Sequence, residues 1–433
     1  MPPLFRIAAG NLLRQRRRTL LLGGAIACVT ALLVMVLGLT SGLRRTVFES
    51  ATILTSGHVN VGGFFKVSPG HSTALITDFP KVAEFVRSEV PELDYLTFRE
   101  RGWARLVSDT ASIQLTIVGV DIRQEPRLRE VLKVYQGSEE GLAERHGMLL
   151  FRTQAEKLGI QVGDRITVST LTARGVNNTI DTRVVALAED VGAASAMGVF
   201  LPSSSLRELY SYEKSATGVM QLYLKESGDA KEVQGRLRKR LAAAGYQILA
   251  DDREEYYIKA ERVKREAWVG QKLDVTTWEY EIWIVGQLLS AMDALVAVLT
   301  FILLAIISVG VMNSLWVAVR ERQQEIGTLR AIGMHRRWVV GMFVVEATLL
   351  GLASTFTGGA LGWAVCAGLN SLKVPVPDSV RLFVMSESFQ FAVESQHVAW
   401  GIALIAGCTV AVSLLPSFLA ARLKPITAMH SIG

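Results

Sequence analysis

The chain has 433 residues, half of them hydrophobic and one fifth charged, with a positive mean hydropathy. That mixture argues against an ordinary soluble globule and for a membrane protein carrying a large water-soluble part. The formal charge of +6 is concentrated in the flanks of apolar runs, so it reflects membrane topology and anionic lipid contact more than nucleic-acid binding.

A hydrocarbon core about 30 Å thick needs roughly 20 apolar helical residues. Windows without charge run from Thr19 to Leu43, Ala294 to Val319 and Val398 to Ala421, and a fourth, Trp338 to Leu372, is interrupted only by Glu346. Spans are therefore expected at 19–43, 288–319, 338–367 and 398–421. The first run exceeds the roughly 7 to 15 apolar residues of a signal-peptide core and has no convincing cleavage site, so it reads as a retained anchor.

Short-loop Lys and Arg set the orientation. Residues 1–18 carry Arg6, Arg14, Arg16, Arg17 and Arg18 without an acidic residue, the 320–337 loop carries five Arg, and the 422–433 tail has Arg422 and Lys424. The 368–397 loop has two basic against three acidic residues. Both termini and the 320–337 loop are expected in the cytoplasm. Arg44 and Arg45 break the rule locally.

Residues 44–283 then form a soluble region outside the cytoplasm, long enough for one domain or two small lobes. Strand-type runs fall at Gly57 to Val61, Trp103 to Val107 with Ser112 to Val120 as a hairpin, Arg165 to Thr170, Arg183 to Leu187 and Val219 to Leu224. Helical patterns fall at Lys81 to Ser88, Arg152 to Leu158, Ser203 to Tyr210 and Ala230 to Ala244. The fold class is thus four transmembrane α-helices with a large α+β extracytoplasmic domain inserted between the first and second. The stretch of about 251–287, free of Pro and with interleaved charges, is expected to continue the second span outward as a rigid helical stalk, with Trp278 and Trp283 at the interface. Cys28, Cys366 and Cys408 all fall inside predicted spans, so the outer domain has no disulfides.

Between the second and third spans stands RERQQEIGTLRAIGMHRR, residues 320–337. Ile326, Leu329 and Ile332 recur every three residues among Glu321, Arg322, Glu325 and Arg330, and Gly333 can stop the helix in a left-handed cap. A topology signal needs only positive charge, whereas paired Glu and an apolar ridge suit a docking surface for a soluble partner.

Here the chain resembles a known family. Arg320-Glu321-Arg322, Glu325-Ile326-Gly327 and Leu329-Arg330-Ala331-Ile332-Gly333, placed after a membrane helix, resemble the signature of FtsX-like permeases, which include lipoprotein-releasing and macrolide-exporter permeases. Ala8 to Thr19 is similar to the family's N-terminal elbow. GMLLFRTQAEKLGIQVGDRITV, residues 147–168, is similar to its outer-domain hallmark at Ala155, Leu158, Gly159, Gly163 and Asp164. Glu346 with Gly351, Gly358 and Gly362 resembles its third span. Domain size and span number fit the lipoprotein-releasing branch best. The resemblance implies that Glu321 to Gly333 is a coupling helix seated on a separate ATPase subunit, that two ATPases and two permeases form the working unit, and that ATP-driven motion reaches the outer domain.

The chain has no GxxxxGK[ST] phosphate loop, so ATP and Mg are expected on the partner ATPase, with no cofactor in this chain. No metal spacing and no GxSxG elbow accompany the six His, so no catalytic or metal-binding residue is expected. Glu346, near mid-bilayer, costs on the order of 2.5 to 3.5 kcal/mol on insertion scales and should be protonated, paired or facing the bundle. It either locks helices together or takes part in transmitting motion. Ala347, Gly351, Thr355 and Gly359, with Gly358 and Gly362 beside them and Gly38 and Gly42 on the first span, are expected to be packing faces within a protomer or across a dimer, the alternative being a lipid-facing opening that admits an acyl chain. Phe64, Phe65, Met197 and Phe200 suit core packing or contact with a lipid or carrier.

The expectation is a non-catalytic inner-membrane permease subunit that extracts lipoproteins or similar amphiphiles for a periplasmic carrier. Its partner permease is identical or related. Efflux of small amphiphiles or peptides with a periplasmic adaptor, and mechanical control of a cell-wall hydrolase, are the alternatives.

Overall fold

A computed structural model describes residues 2–68, 71–172, 175–191, 198–252, 254, 256–377 and 388–422. Met197, Lys424 and residues 378–387 of the short loop lie outside these. The chain divides into two compact units, Met1–Arg45 with Leu289–Pro375 and Ser388–Gly433, and Thr46–Leu288 with Val376–Glu387.

Helices long and apolar enough to cross a membrane occupy Arg16–Ser56, Val285–Glu321, Arg336–Leu372 and Val398–Ala421. The first runs well past the expected Leu43. Neither Gly nor Pro follows until Gly57, so charge alone does not end the helix at Arg44, and it finishes in a π-helical turn at Thr52–Ser56. A separate helix, Pro2–Arg14, precedes it.

Within the first unit, Ile26 and Leu33 of the first span pack with Ile307, Val311 and Leu315 of the second and Ile405 of the fourth. The third span uses two glycine faces. A Cβ at Gly358 would come within 2.7 Å of Thr30 and one at Gly362 within 2.8 Å of the Ala31 carbonyl, both on the first span. Gly351 and Gly359 instead face Thr409 and Ile402 of the fourth. The small residues are thus used inside one protomer, where they let backbones approach closely. Arg44, the local exception to the charge rule, donates to both carboxylate oxygens of Asp293 at 2.9–3.0 Å.

The second unit holds an eleven-stranded sheet: β1 (Val59–Ser68), β2 (His71–Ala74), β3 (Leu93–Val107), β4 (Ser112–Val120), β5 (Val134–Gly137), β6 (Gly147–Phe151), β7 (Arg165–Leu171), β8 (Asn177–Ala188), β9 (Gly198–Pro202), β10 (Val219–Leu224) and β11 (Gly270–Thr277). Its order is β11-β1-β10-β3-β4-β9-β6-β8-β5, with β2 on β1 and β7 joining β3 and β8. The hairpin of β3 and β4 pairs Val107 with Ser112 through Glu100 with Gly119. Two large apolar clusters pack against the sheet. One lies under β1, β10 and β11, where helices Phe79–Glu89 and Ala230–Ala243 contribute Val82, Val86, Val233 and Leu237. The other gathers Leu106, Met148, Leu150, Leu158, Val168, Val184 and Leu201.

The hallmark segment has structural roles. Helix Arg152–Leu158 buries Ala155 and Leu158 and ends at Gly159, whose φ of 64° is the left-handed cap that glycine adopts without a Cβ penalty. Gly163, at φ 102°, donates its N–H to the Val184 carbonyl at 2.8 Å, and Asp164 accepts from the Gln161 N–H at 2.7 Å.

The expected stalk is corrected. Residues 251–287 do not form one helix: Tyr256–Arg265 is helical, Gly270 turns at φ 97°, and β11 pairs antiparallel with β1 from Val59–Thr277 to Lys66–Gly270. Leu273 and Val275 enter the core, and the β-branched run Val275-Thr276-Thr277 favours a strand over a polar helix. Trp278 lies edge-on to Phe48, with ring centroids 4.9 Å apart, instead of standing alone at an interface. The side chain of Trp283 is outside the described residues.

Candidate functional site

The 320–337 segment forms a short helix, Gln323–Ala331. Gly333 follows at φ 105°, and the Gly333 and Met334 N–H groups donate to the Arg330 and Leu329 carbonyls at 3.1 Å. The left-handed stop is therefore formed.

The apolar ridge is not formed as expected. Ile326 is buried with Val319, Val339, Met342, Phe343 and Ala420, whereas Ile332 is 81% exposed and Leu329 lies between. Three-residue spacing drifts on a helix of 3.6 residues per turn, so Ile326 and Ile332 stand about 120° apart. The exposed stripe is Gln324, Glu325, Thr328, Ala331 and Ile332, at spacings of three and four.

Two arginines expected on the docking face point inward instead. Arg322 Nη1 donates to Glu346 Oε2 at 3.0 Å, with both side chains at most 7% exposed. Arg330 donates to the Ala421 carbonyl at 3.1 Å and so covers the carboxyl end of the fourth span. In an apolar bundle a lone carboxylate must find a cation, and among the described residues Arg322 is the one within hydrogen-bond reach. Gly327 is also buried, while Glu321 stays exposed.

A residue that charge reasoning assigned only to topology joins this site. Arg18 stands 3.9 Å from Glu346 Oε1 and 3.7 Å from Glu321 Oε2, and donates to Gln15 at 2.8 Å. A cavity of about 20 Å³ beside it, roughly the space of one water, is lined by Leu12, Thr19, Val311, Ala347 and Thr409 as well as Arg18 and Glu346. The first span, the loop helix and the third span thus meet around one carboxylate. The single Glu in the third apolar run was the sequence signal; its partners were not marked.

Two of the apolar residues weighed for substrate contact, Phe64 and Phe200, are core. Phe64 is 2% exposed against Leu249 and Val263, and Phe200 is 4% exposed with its ring 6.1 Å from that of Phe151. Phe65 is half-buried. Among the described residues no group of three His, Cys, Asp or Glu is placed to hold a metal ion.

Four membrane-length helices with a large α+β domain inserted between the first two, and a short helix packed against the bundle through Ile326 and Arg322, define a polytopic membrane protein. Residues 19–240, just over half the chain, match the MacB-like periplasmic core domain, and residues 297–425 match the FtsX-like permease C-terminal family. The chain belongs to the FtsX-like permeases that carry a MacB-like periplasmic core. It is 34% identical over 137 residues to the macrolide export ATP-binding/permease protein MacB of Escherichia coli, covering 32% of this chain and 19% of that protein. It is 30% identical over 142 residues to the pyoverdine export ATP-binding/permease protein PvdT of Pseudomonas putida, covering 33% and 19%. The match thus spans about a fifth of the length of these curated relatives. The crystal structure of the periplasmic region of MacB from Actinobacillus actinomycetemcomitans aligns at a TM-score of 0.31 and 11% identity, over 54% of this chain and 95% of that one.

Proposed function

We propose that this chain is the permease subunit of an ATP-driven complex in a bacterial inner membrane, with both termini cytoplasmic and the inserted domain periplasmic. Two separate ATPase subunits bind ATP and Mg and receive the exposed stripe of the Gln323–Ala331 helix, and a second permease, identical or related, completes the unit. The observation that carries this reading is the two-sidedness of that helix. Its inner edge is fixed by Ile326 and by Arg322 on Glu346, while Glu325, Thr328 and Ile332 stand outward. Such a helix accepts a push from outside and passes it to the first and third spans.

The cargo in this reading is a lipoprotein or similar amphiphile, drawn from the outer leaflet and given to a periplasmic carrier. A second reading, efflux of a small amphiphile through a periplasmic adaptor, is favoured by the relatives whose names specify macrolide and pyoverdine export. Purification in mild detergent followed by mass spectrometry of bound protein and lipid separates the two. A co-purifying lipoprotein or lipoprotein carrier supports the first, an adaptor with an outer-membrane channel the second.

A further inference from the structure

The last turns of the first helix, from Thr46 to Ser56, belong to the compact unit of the inserted domain. The carbonyls at this helix end have no continuing turn to accept their hydrogen bonds, and the helix dipole adds partial negative charge there. Strands β3 and β10 supply the donors. Arg99, fully buried, donates from Nη2 to the Ile53 carbonyl at 2.8 Å and from Nη1 to the Leu54 carbonyl at 2.9 Å. Its remaining edge makes a bidentate pair with Glu125, 2.7 Å from Nε and 2.8 Å from Nη2. Arg101 donates to the Thr55 carbonyl at 3.0 Å and to Glu281 at 2.6 Å. Gln221 also donates to the Thr55 carbonyl at 2.9 Å, and the Tyr223 hydroxyl to that of Thr52 at 3.3 Å.

We propose that Arg99 and Arg101 are positioning residues that clamp the outer end of the first span into the sheet, so that this helix end and the domain move as one body. The guanidinium suits the task because its planar fork can hold a carboxylate and two carbonyls together, which a lysine ammonium cannot. Glu281 of the same network lies four residues before the second span, so Arg101 ties the exit of one membrane helix to the approach of the next. The clamp is a physical property of this chain; its role in transport rests on the function proposed above.

The test uses the full chain in detergent or nanodiscs, alone and in its native complex. Arg99→Lys keeps a cation opposite Glu125 but loses the double grip, and the double variant R99L/E125L removes the clamp without leaving a buried unpaired charge. Hydrogen–deuterium exchange of the Val47–Ser56 amides is expected to rise about tenfold in both, the loss of one to two charge-assisted hydrogen bonds, with β6 amides unchanged as a reading of the intact fold. In the complex, ATP hydrolysis should persist while cargo release falls to background. If the double variant unfolds, seen as faster β6 exchange, Arg99→Lys carries the test. Unchanged exchange at Val47–Ser56 overturns the clamp, and faster exchange with wild-type cargo release overturns its role in motion. A wild-type preparation that retains no ATP-hydrolysing partner is a different failure, that of the proposed function, and leaves the exchange result to decide the clamp.

Discussion

Arg322 and Glu346, 24 residues apart, form a buried ion pair at 3.0 Å between the loop helix and the third span. Removing the arginine leaves an uncompensated buried carboxylate, which typically costs about 3–5 kcal/mol, whereas replacing both partners by apolar residues is often neutral or stabilising. Thermal unfolding in detergent should therefore show a large loss for Arg322→Ala and a near-native transition for R322M/E346L. Arg18, 3.9 Å from the same carboxylate and beyond hydrogen-bond reach, should cost less when changed to Ala. Equal losses for R322A and R18A would refute this ranking.

The exposed stripe predicts a different phenotype. Glu325→Lys and Ile332→Asp should leave the melting temperature unchanged, since surface substitutions usually stay within about 0.5 kcal/mol, yet abolish retention of an ATPase partner. Ile326→Asp, buried at 1% exposure, should destabilise the permease itself. Pull-down yield against melting temperature separates the two groups.

Span packing gives a third expectation. Gly358→Leu and Gly362→Leu force a side chain into the backbone of the first span and should cost at least the 1–3 kcal/mol typical of overpacking. Gly407→Leu on the fourth span, with nothing within 4 Å of its Cβ position, is the control. Monodispersity and melting temperature of the three variants check this.

His58 sets a pH dependence for the inserted domain. Burial, assisted by the Arg127 charge, pushes its pKa down to about 4, and its Nδ1 accepts the Leu224 N–H at 3.1 Å. The unfolded chain binds this proton near pH 6.5, so between the two values it holds more protons than the folded state. Stability from this group is complete above about 6.5 and declines as pH falls toward 4, by about 3 kcal/mol in all. His58→Gln, which retains an acceptor, should flatten the difference between pH 7 and pH 4.5 in unfolding midpoints. An unchanged pH slope would show that His58 titrates normally.

The four spans and the inserted domain were legible because apolar runs and strand alternation are local signals. Helices Arg152–Leu158 and Ser203–Tyr210 and strands β4 and β10 coincide with their expected limits for the same reason. β6 and β9 were missed because they are apolar runs of only five residues with no period of two. β11 was mistaken for part of a stalk because its strand character depends on pairing with β1, more than 200 residues earlier in the chain. At the site, Glu346 and the Gly333 stop could be read, but the direction of Arg322 could not. It is fixed by a carboxylate on another helix, and a charged residue reads as exposed until its partner is known.

Site-specific crosslinking from Glu325 in native membranes, with a photoreactive residue at that position and mass spectrometry of the product, reads directly what the exposed stripe touches. A crosslink to a cytoplasmic ATP-binding subunit is expected, absent when the probe replaces buried Phe343. A probe at Glu325 that reacts only with lipid or with periplasmic proteins would rule out ATPase docking on this helix.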